Sequence, residues 1–301
     1  IGPVVFDSCG MPMKASNDLE DFVYGSSGIT VGKTKVLQED VLAYVDGSSQ
    51  ETMWHVVEVT NHTETLKISY KLSDYKMFEN PNFVSVSPSN WKVYEALTVF
   101  LKKNGWNYVY VLTDRKSPSI RQNVMDSLRM AGAKSGICFA SEIDVSNSSE
   151  NFTVAIESLE QNEGMKIVVA DMSAENGVQF VKNLPKLGKY YLIISIQPWA
   201  YSDTLKEQSK FYAARLYSIQ EETVMEVGTY NNYLLALNPQ TYKSNPWFSE
   251  WYELLYNCSL DANNMRQYKF VCSNINQNPV STASKYQSDP YVVKVIDAVT
   301  A

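Results

Sequence analysis

The chain has 301 residues and a formal net charge of −7, with 45% hydrophobic and 20% charged residues. This composition is typical of a globular protein of about two domains. The 33 acidic residues outnumber the 26 basic residues, so the sequence lacks the excess of positive charge that is typical of nucleic-acid-binding proteins. The sequence holds only two histidines and no G-x-S-x-G elbow, which argues against zinc hydrolases and α/β hydrolases. We expect no metal and no cofactor.

Strand patterns in the first 87 residues are short and irregularly spaced. Apolar runs predict strands over residues 4–6, 41–45 and 83–86, and a helical pattern follows the second of these. Residues 28–34 read G-I-T-V-G-K-T, which invites comparison with a phosphate-binding loop. Ser27 stands where that motif needs its first glycine, so we interpret the segment as an ordinary loop.

The turn Gly47-Ser48-Ser49 joins the second predicted strand to the helix. Free N–H groups and serine hydroxyls at a helix start form a site for a carboxylate. The same serines could simply cap the helix. The sequence leaves both interpretations open.

Residues 90–222 alternate regularly between helical and strand patterns. Helices are predicted over 90–104, 119–130 (ended by Gly132), 151–159, 174–184 and 204–210, and strands over 108–112, 137–140, 166–170, 190–196 and 212–218. The strands are continuously apolar, which is typical of a parallel sheet covered by helices on both faces.

The last 79 residues have helical patterns over 224–237, 246–256 and 290–300. Such a run of helices does not easily form a domain beside an incomplete sheet. We therefore predict that residues 1–87 and 223–301 together form one lobe and that residues 88–222 form a second lobe inserted into it. Two lobes joined by more than one crossing segment create a cleft that can hinge. The predicted fold class is α/β, with a mostly parallel sheet flanked by helices in each lobe.

Four cysteines allow three complete pairings. Cys258 and Cys272 flank a short polar segment, and we predict a disulfide between them, which would stabilise the fold by about 3 kcal/mol. Cys138 lies in an apolar run and is predicted to be free and buried. Cys9 is then left without a partner in this chain.

Four glycosylation sequons, at Asn61, Asn147, Asn151 and Asn257, indicate a secreted history. The chain begins at Ile1 and stops at Ala301 inside an apolar helical pattern. We expect it to be a piece of a longer chain, which a signal peptide could precede and a membrane segment could follow.

Several stretches resemble the ectodomains of metabotropic glutamate receptors. N-P-W-F-S-E-W at 245–251, with Y-N-C-S-L at 256–260, is similar to the family's "NPWF…FW…F.C.L" segment. Shorter matches are W-N-Y-V at 106–109, G-I-C-F-A at 136–140, F-D-S-C at 6–9, L-S-D at 72–74, P-S-N at 88–90 and the final helix at 291–299. In order, they cover nearly the whole chain, and they imply a class C receptor ligand-binding domain, a two-lobed Venus flytrap.

In such receptors the cleft holds a free amino acid, whose carboxylate is bound by lobe 1. The resemblance places the binding turn at Ser48 and Ser49. The Ser/Thr-rich loop that precedes the L-S-D motif is shortened here, which leaves Ser69 and Tyr70 as candidates.

In the same receptors, acids and a lobe 2 tyrosine bind the ammonium group of the ligand. The matching positions hold neutral Asn90 and Gln197, and Pro118 falls near the tyrosine. Each lost charged partner costs about 1.5–3 kcal/mol. Two or three such losses would move a micromolar ligand to roughly the millimolar range, so the site is predicted to be eroded.

The resemblance thus implies an extracellular receptor domain, not an enzyme, that signals by closing its cleft on a small molecule. It also implies a homodimer through lobe 1 and a G protein contacted by regions outside this chain. Two alternatives use the same scaffold. One is the ectodomain of a natriuretic-peptide-type or kinase-linked receptor, against which the N-P-W-F segment argues. The other is a non-binding pseudo-receptor that acts by dimerising.

Overall fold

The computed structural model describes residues 2–115, 117–145, 149–160, 166–184, 191–211, 214–219, 221, 227–239, 242–243, 245, 247–265, 267–272 and 291–300. The chain forms two compact units, residues 1–221 and residues 222–301.

Unit 1 begins with a helix and a small hairpin. Helix α1 spans Pro12–Val23 and buries Ala15, Leu19 and Phe22, which share one helical face. The G-I-T-V-G-K-T segment forms the antiparallel hairpin of β1 (Thr30–Val31) and β2 (Thr34–Lys35). Its two-residue loop turns at Gly32, whose φ of 64° suits glycine.

A three-stranded parallel sheet follows, in the order β3 (Ala43–Asp46), β4 (Leu66–Ser69) and β5 (Phe83–Ser85). Helix α2 (Gln50–Val59) connects β3 to β4, and a 3-10 helix (Tyr75–Glu79) precedes β5. Met53, Val57, Met77 and Phe83 form the apolar core that joins these elements.

A five-stranded sheet forms the rest of unit 1. Its strands are β6 (Tyr108–Thr113), β7 (Cys138–Asp144), β8 (Lys166–Asp171), β9 (Tyr191–Ser195) and β10 (Ala214–Ser218). Its helices are α3 (Asn90–Lys103), α4 (Pro118–Ala133), α5 (Ser149–Glu160), α6 (Ala174–Asn183) and α7 (Asp203–Phe211). All strands are parallel, in the order β10-β9-β8-β6-β7. The chain reverses its direction of travel across the sheet at β6, which lies between β7 and β8.

Both faces of this sheet are covered, because its strands alternate between two cores. Val169 and Ile194 face the core shared with α3 and α4. Val168 and Ile193 face the core shared with α5, α6 and α7. The predicted α/β class with parallel sheets flanked by helices is therefore confirmed, and it is consistent with a two-lobed fold of the periplasmic-binding type.

Unit 2 contains α8 (Gly228–Ala236), α9 (Trp247–Tyr256) and α10 (Val292–Thr300). Phe248 and Tyr252 of α9 are the buried residues of its core. The structure pairs Cys258 with Cys272 after α9, as predicted, and Cys9 is a free, exposed thiol.

Two sequence-based predictions for unit 1 are wrong. Residues 4–6 form no strand: Val5 is exposed, and Phe6 packs its ring on Phe22 instead. The second predicted helix does not end at Gly132 but continues to Ala133. A Cβ on Gly132 would lie 2.7 Å from the Ile137 carbonyl oxygen, so this glycine serves close packing inside the helix.

Cys138 is free, as predicted, but it is exposed and not buried. It opens β7, an edge strand of the sheet. Ile137 and Phe139 point into the core shared with α4, so the intervening Cys138 points to the other side. In this apolar run, Ile137 and Phe139 are therefore buried, whereas Cys138 is exposed.

Candidate functional site

The predicted site residues follow the carboxyl ends of parallel strands. Ser48 and Ser49 follow β3, Ser69 ends β4, and Gln197 follows β9. In open α/β sheets, ligands bind outside these ends, most often where the strand order reverses. That point lies between β6 and β8 in the five-stranded sheet.

Ser49 caps helix α2. Its Oγ accepts a hydrogen bond from the Thr52 backbone N–H at 3.3 Å and lies 3.1 Å from the Thr52 hydroxyl. The Ser48 backbone N–H donates to Asp46 Oδ1 at 2.7 Å. The N-capping interpretation is therefore correct for Ser49. A carboxylate at this turn stays a proposal.

Tyr70 lies directly against the same turn. A Cβ built on Gly47 would be 1.7 Å from Tyr70 Cζ and 1.8 Å from its hydroxyl oxygen. The Tyr70 backbone N–H also donates to the Asp46 carbonyl oxygen at 3.2 Å. The phenol ring therefore sits where only a glycine allows it, beside the start of α2.

Ser69 is fully buried and holds its own turn together. Its Oγ donates to the Lys71 carbonyl oxygen at 3.1 Å and accepts from the Lys71 backbone N–H at 3.2 Å. The hydroxyl is thus engaged within the chain and shapes the loop that carries Tyr70.

Asn90, the first residue of α3, links this helix to the 3-10 helix that precedes β5. Its Oδ1 accepts from the Tyr75 backbone N–H at 3.2 Å, and its Nδ2 donates to the Tyr94 hydroxyl at 3.3 Å. The Tyr75 ring meets Trp91 at a centroid distance of 5.9 Å. Lys76 Nζ lies 3.4 Å from Asn123 Oδ1 on α4, which adds a polar contact between the same 3-10 helix and α4.

Gln197 donates from Nε2 to Asp171 Oδ1 at 2.6 Å. Its backbone N–H donates to Ser195 Oγ, which fixes the turn after β9. Pro118 starts α4, where its missing N–H costs no helical hydrogen bond. The structure therefore brings Gln197 to an acid that the sequence did not single out.

Arg115 and Asp171 form a two-bond ion pair beside Gln197. Arg115 Nε donates to Asp171 Oδ2 at 3.0 Å, and Nη2 donates to Oδ1 at 2.9 Å. The Asp171 side chain is only 1% exposed and that of Arg115 is 23% exposed. The Asp171 carboxylate raises the pKa of Arg115 above its usual range.

Tyr94 lies beside this pair and is buried. Burial raises the pKa of the Tyr94 hydroxyl above its usual range, and the Asp171 carboxylate raises that pKa further. Asp74 is a second buried acid nearby: its Oδ2 accepts from Gln50 Nε2 at 3.1 Å, and its Oδ1 accepts from the Lys76 backbone N–H at 3.0 Å.

Asp46 has one carboxylate oxygen in use and one without a partner. Oδ1 accepts from the Ser48 backbone N–H, whereas Oδ2 is buried with no hydrogen-bond partner. Burial raises the pKa of the Asp46 carboxyl above its ordinary range, while hydrogen bonds from Ser48 and the charge of Lys71 act against that rise.

Arg115, Asp171 and Asp46 were not predicted as site residues, although the sequence carries a signal for them. Asp46 and Asp171 are the last residues of their strands, and Arg115 lies two residues beyond β6. Charged residues that immediately follow apolar strands would have been found by searching the carboxyl edge of the sheets.

The remaining predicted sites are the four glycosylation sequons, two of which lie fully within the described residues. Asn61 and Asn257 are exposed. The side chain of Asn151, whose backbone belongs to α5, lies outside the described residues, as does the whole of Asn147. In the part of the chain that the structure describes, no group of three or more His, Cys, Asp or Glu side chains is placed to hold a metal ion. Among the described helices, none has the length and apolar character of a membrane span.

Polar and charged side chains at the carboxyl ends of two parallel sheets define a ligand-binding α/β domain of the periplasmic-binding type. The family model described as the receptor family ligand binding region matches residues 1–301, and the chain belongs to this family.

Two relatives indicate which kind of receptor domain the chain resembles. The chain is 26% identical over 341 aligned residues to the probable metabotropic glutamate receptor mgl-1 of Caenorhabditis elegans, covering 100% of this chain and 33% of the nematode protein. It is 22% identical over 198 residues to the metabotropic glutamate receptor of Drosophila melanogaster, covering 64% of this chain and 20% of the fly protein. The class C receptor ligand-binding domain inferred from sequence motifs is thereby supported, and its relatives are receptors rather than enzymes. The chain spans about a third or less of the length of these relatives.

Proposed function

We propose that this chain is the extracellular ligand-binding domain of a metabotropic-glutamate-like G-protein-coupled receptor. It binds a small molecule between the two sheets of unit 1 and signals by closing that cleft. The observation that carries the proposal is that polar and charged side chains follow the carboxyl ends of strands in both sheets of unit 1, and that Asn90 of α3 accepts a hydrogen bond from Tyr75 in the segment before β5. A ligand that favours the closed arrangement shifts the population of the domain toward it.

The proposed amino-acid site is eroded. Asn90 and Gln197 are neutral, and the amide of each is already hydrogen-bonded within the chain. Neutral amides accept hydrogen bonds but do not offset the desolvation of an ammonium group as a carboxylate does. Glutamate is therefore proposed to bind at best at roughly millimolar concentrations.

The lobe organisation stays a proposal. Residues 1–87 and 223–301 form one lobe, and residues 88–222 form the other. The support is that β3, β4 and β5 leave the apolar side chains of Val45, Leu66 and Val84 exposed. The full receptor would dimerise through lobe 1 and contact a G protein through regions outside this chain.

An extracellular location is supported by the exposed sequons at Asn61 and Asn257. Expression in a secretory eukaryotic host should give a glycoprotein whose electrophoretic mobility increases on enzymatic removal of N-glycans. Asn61→Gln and Asn257→Gln should each remove one glycan. A secreted chain without any glycan would contradict this location.

A second candidate, a pseudo-receptor that binds no small molecule, is favoured by one observation. The side chains of Ser49, Ser69 and Gln197 are all hydrogen-bonded to other residues of the chain. Such a domain would act through dimerisation alone.

Thermal unfolding in the presence of small amino acids, amines, carboxylates and neutral metabolites distinguishes the two candidates. For the receptor proposal, we expect at least one compound to raise the melting temperature and to reduce the radius of gyration in X-ray scattering. Gln197→Ala should weaken both effects, whereas Gln122→Ala, on the exposed face of α4, should not. A library without a single stabilising compound would contradict the receptor proposal and favour the pseudo-receptor.

A further inference from the structure

The carboxylate of Asp171 has a complete set of partners inside the chain. Arg115 approaches it side-on with two N–H groups, and Gln197 supplies a third donor to Oδ1. Since the Asp171 side chain is almost fully buried, its charge must be balanced locally, and Arg115 is the cation in hydrogen-bond contact with it.

The pair lies at the point of the sheet where a ligand is expected. Arg115 follows β6 and Asp171 ends β8, the two strands between which the strand order reverses. Parallel pairing sets Thr113 opposite Asp171, so that the guanidinium needs to cross only to the adjacent strand. Buried Tyr94 and half-buried Gln197 lie beside the pair.

We propose that Arg115 is a tethered counter-cation that neutralises Asp171 where the strand order reverses and so keeps a ligand ammonium group from pairing with this carboxylate. In this arrangement the acid is present at the carboxyl edge of the sheet, but the chain itself neutralises it. The ligand of this domain is then one without an ammonium group directed at this carboxylate. Arg115 acts as a specificity-determining residue through Asp171. The inference rests on the proposed function, because only that function supplies a cleft ligand. Its test uses no cleft ligand.

Removing either partner of the Arg115–Asp171 pair leaves the charge of the other without its counter-ion. Truncation by Arg115→Ala leaves a buried carboxylate that lacks a cation, and a small cation can take the vacated position. Truncation by Asp171→Ala leaves a partly exposed guanidinium whose forked donors fit a carboxylate. Removing both charges, in Arg115→Ala/Asp171→Ala, eliminates the need for either ion.

The test is chemical rescue followed by thermal unfolding. Wild type, both single variants and the double variant are heated with methylguanidinium, methylammonium or acetate at constant ionic strength. We expect methylguanidinium to raise the melting temperature of Arg115→Ala by about 2–4 °C once its concentration exceeds the dissociation constant several-fold. Methylammonium should act more weakly because it cannot make the two-bond contact. Acetate should stabilise Asp171→Ala. Wild type and the double variant should respond to none of them.

Arg129→Ala is the matched control, because Arg129 pairs only loosely with Asp126 on an exposed helix face, with 3.8 Å between the charged atoms. It should show no rescue by methylguanidinium. If Arg115→Ala is unfolded in buffer, recovery of its near-ultraviolet circular dichroism with methylguanidinium replaces the melting temperature as the readout.

The proposal is overturned if methylguanidinium affects Arg115→Ala no more than the double variant and acetate affects Asp171→Ala no more than the double variant. That result would leave the receptor proposal intact, since no cleft ligand is used. Conversely, failure of the ligand screen on the wild-type domain would not change the rescue.

Discussion

The ring of Tyr70 lies so close to Gly47 that a methyl group on residue 47 would fall 1.8 Å from the tyrosine hydroxyl oxygen. This contact joins the loop after β4 to the turn before α2, the turn that is proposed to bind the carboxylate of a ligand. The turn and the tyrosine therefore form one structural unit. A substitution in the turn should therefore affect the position of the Tyr70 ring, and a substitution of Tyr70 should affect the turn.

Gly47→Ala should destabilise unit 1 by about 1–3 kcal/mol, because the added methyl group must displace the Tyr70 ring. Denaturant unfolding measures the loss. In a Tyr70→Ala background the same substitution should cost little. Gly28→Ala, where a Cβ meets nothing within 4 Å, is the matched control. Equal costs in both backgrounds would show that Tyr70 does not set the requirement for glycine.

The disulfide should contribute measurably to the stability of unit 2. It closes a loop of 14 residues, so replacing Cys258 and Cys272 by serine should lower the free energy of unfolding by about 3 kcal/mol. Urea unfolding followed by tryptophan fluorescence reports the change, since Trp247 and Trp251 lie in α9. Cys9→Ser, at an exposed free thiol, serves as the control and should leave the transition unchanged.

The thiols should differ sharply in reactivity. Cys9 and Cys138 are free and exposed, so both should be alkylated by a maleimide in the native protein. Cys258 and Cys272 should react only after reduction. Mass spectrometry of proteolytic peptides identifies the labelled residues. A native Cys138 that resists the reagent until unfolding would contradict its position on the open side of the edge strand.

Asp46 should make stability depend on pH. Because burial raises the pKa of its carboxyl in the folded state, the folded protein holds this proton more tightly than the unfolded chain does. Its contribution to stability is full below the unfolded pKa and is lost as the pH rises through the folded pKa. Asp46→Asn keeps an acceptor for the Ser48 N–H and removes the charge. The stability of this variant relative to wild type should therefore rise as the pH increases above the unfolded pKa of about 4. A difference that stays constant over this range would contradict the burial of the Asp46 charge.

Local patterns predicted most of the five-stranded sheet. The strands β8 and β9 are continuous apolar runs that are buried on both faces, so they could be recognised without knowing their neighbours. Helix α2 is capped by Ser49, and this capping role was one of the two interpretations that the sequence allowed. The Cys258–Cys272 disulfide followed from the proximity of the two residues along the chain.

Features that depend on tertiary neighbours could not be predicted. The exposure of Cys138 follows from the position of β7 at the sheet edge, which the sequence of that strand does not encode. The Arg115–Asp171 pair joins residues 56 apart and exists because β8 lies beside β6. Helix α1 and strand β4 were not predicted. Strand β4 carries only four residues, and one of them is the buried lysine Lys67.

Isothermal titration calorimetry with glutamate tests the eroded amino-acid site most directly. Ser49→Ala probes the turn, and Ser173→Ala is its control, because Ser173 caps α6 in the same way, by accepting from the Asn176 N–H. Since the proposed ammonium partners Asn90 and Gln197 are neutral, we expect glutamate to bind wild type with a dissociation constant of about a millimolar or weaker. Micromolar binding that Ser49→Ala abolishes and Ser173→Ala preserves would contradict the eroded site and show that the receptor-type amino-acid site is intact.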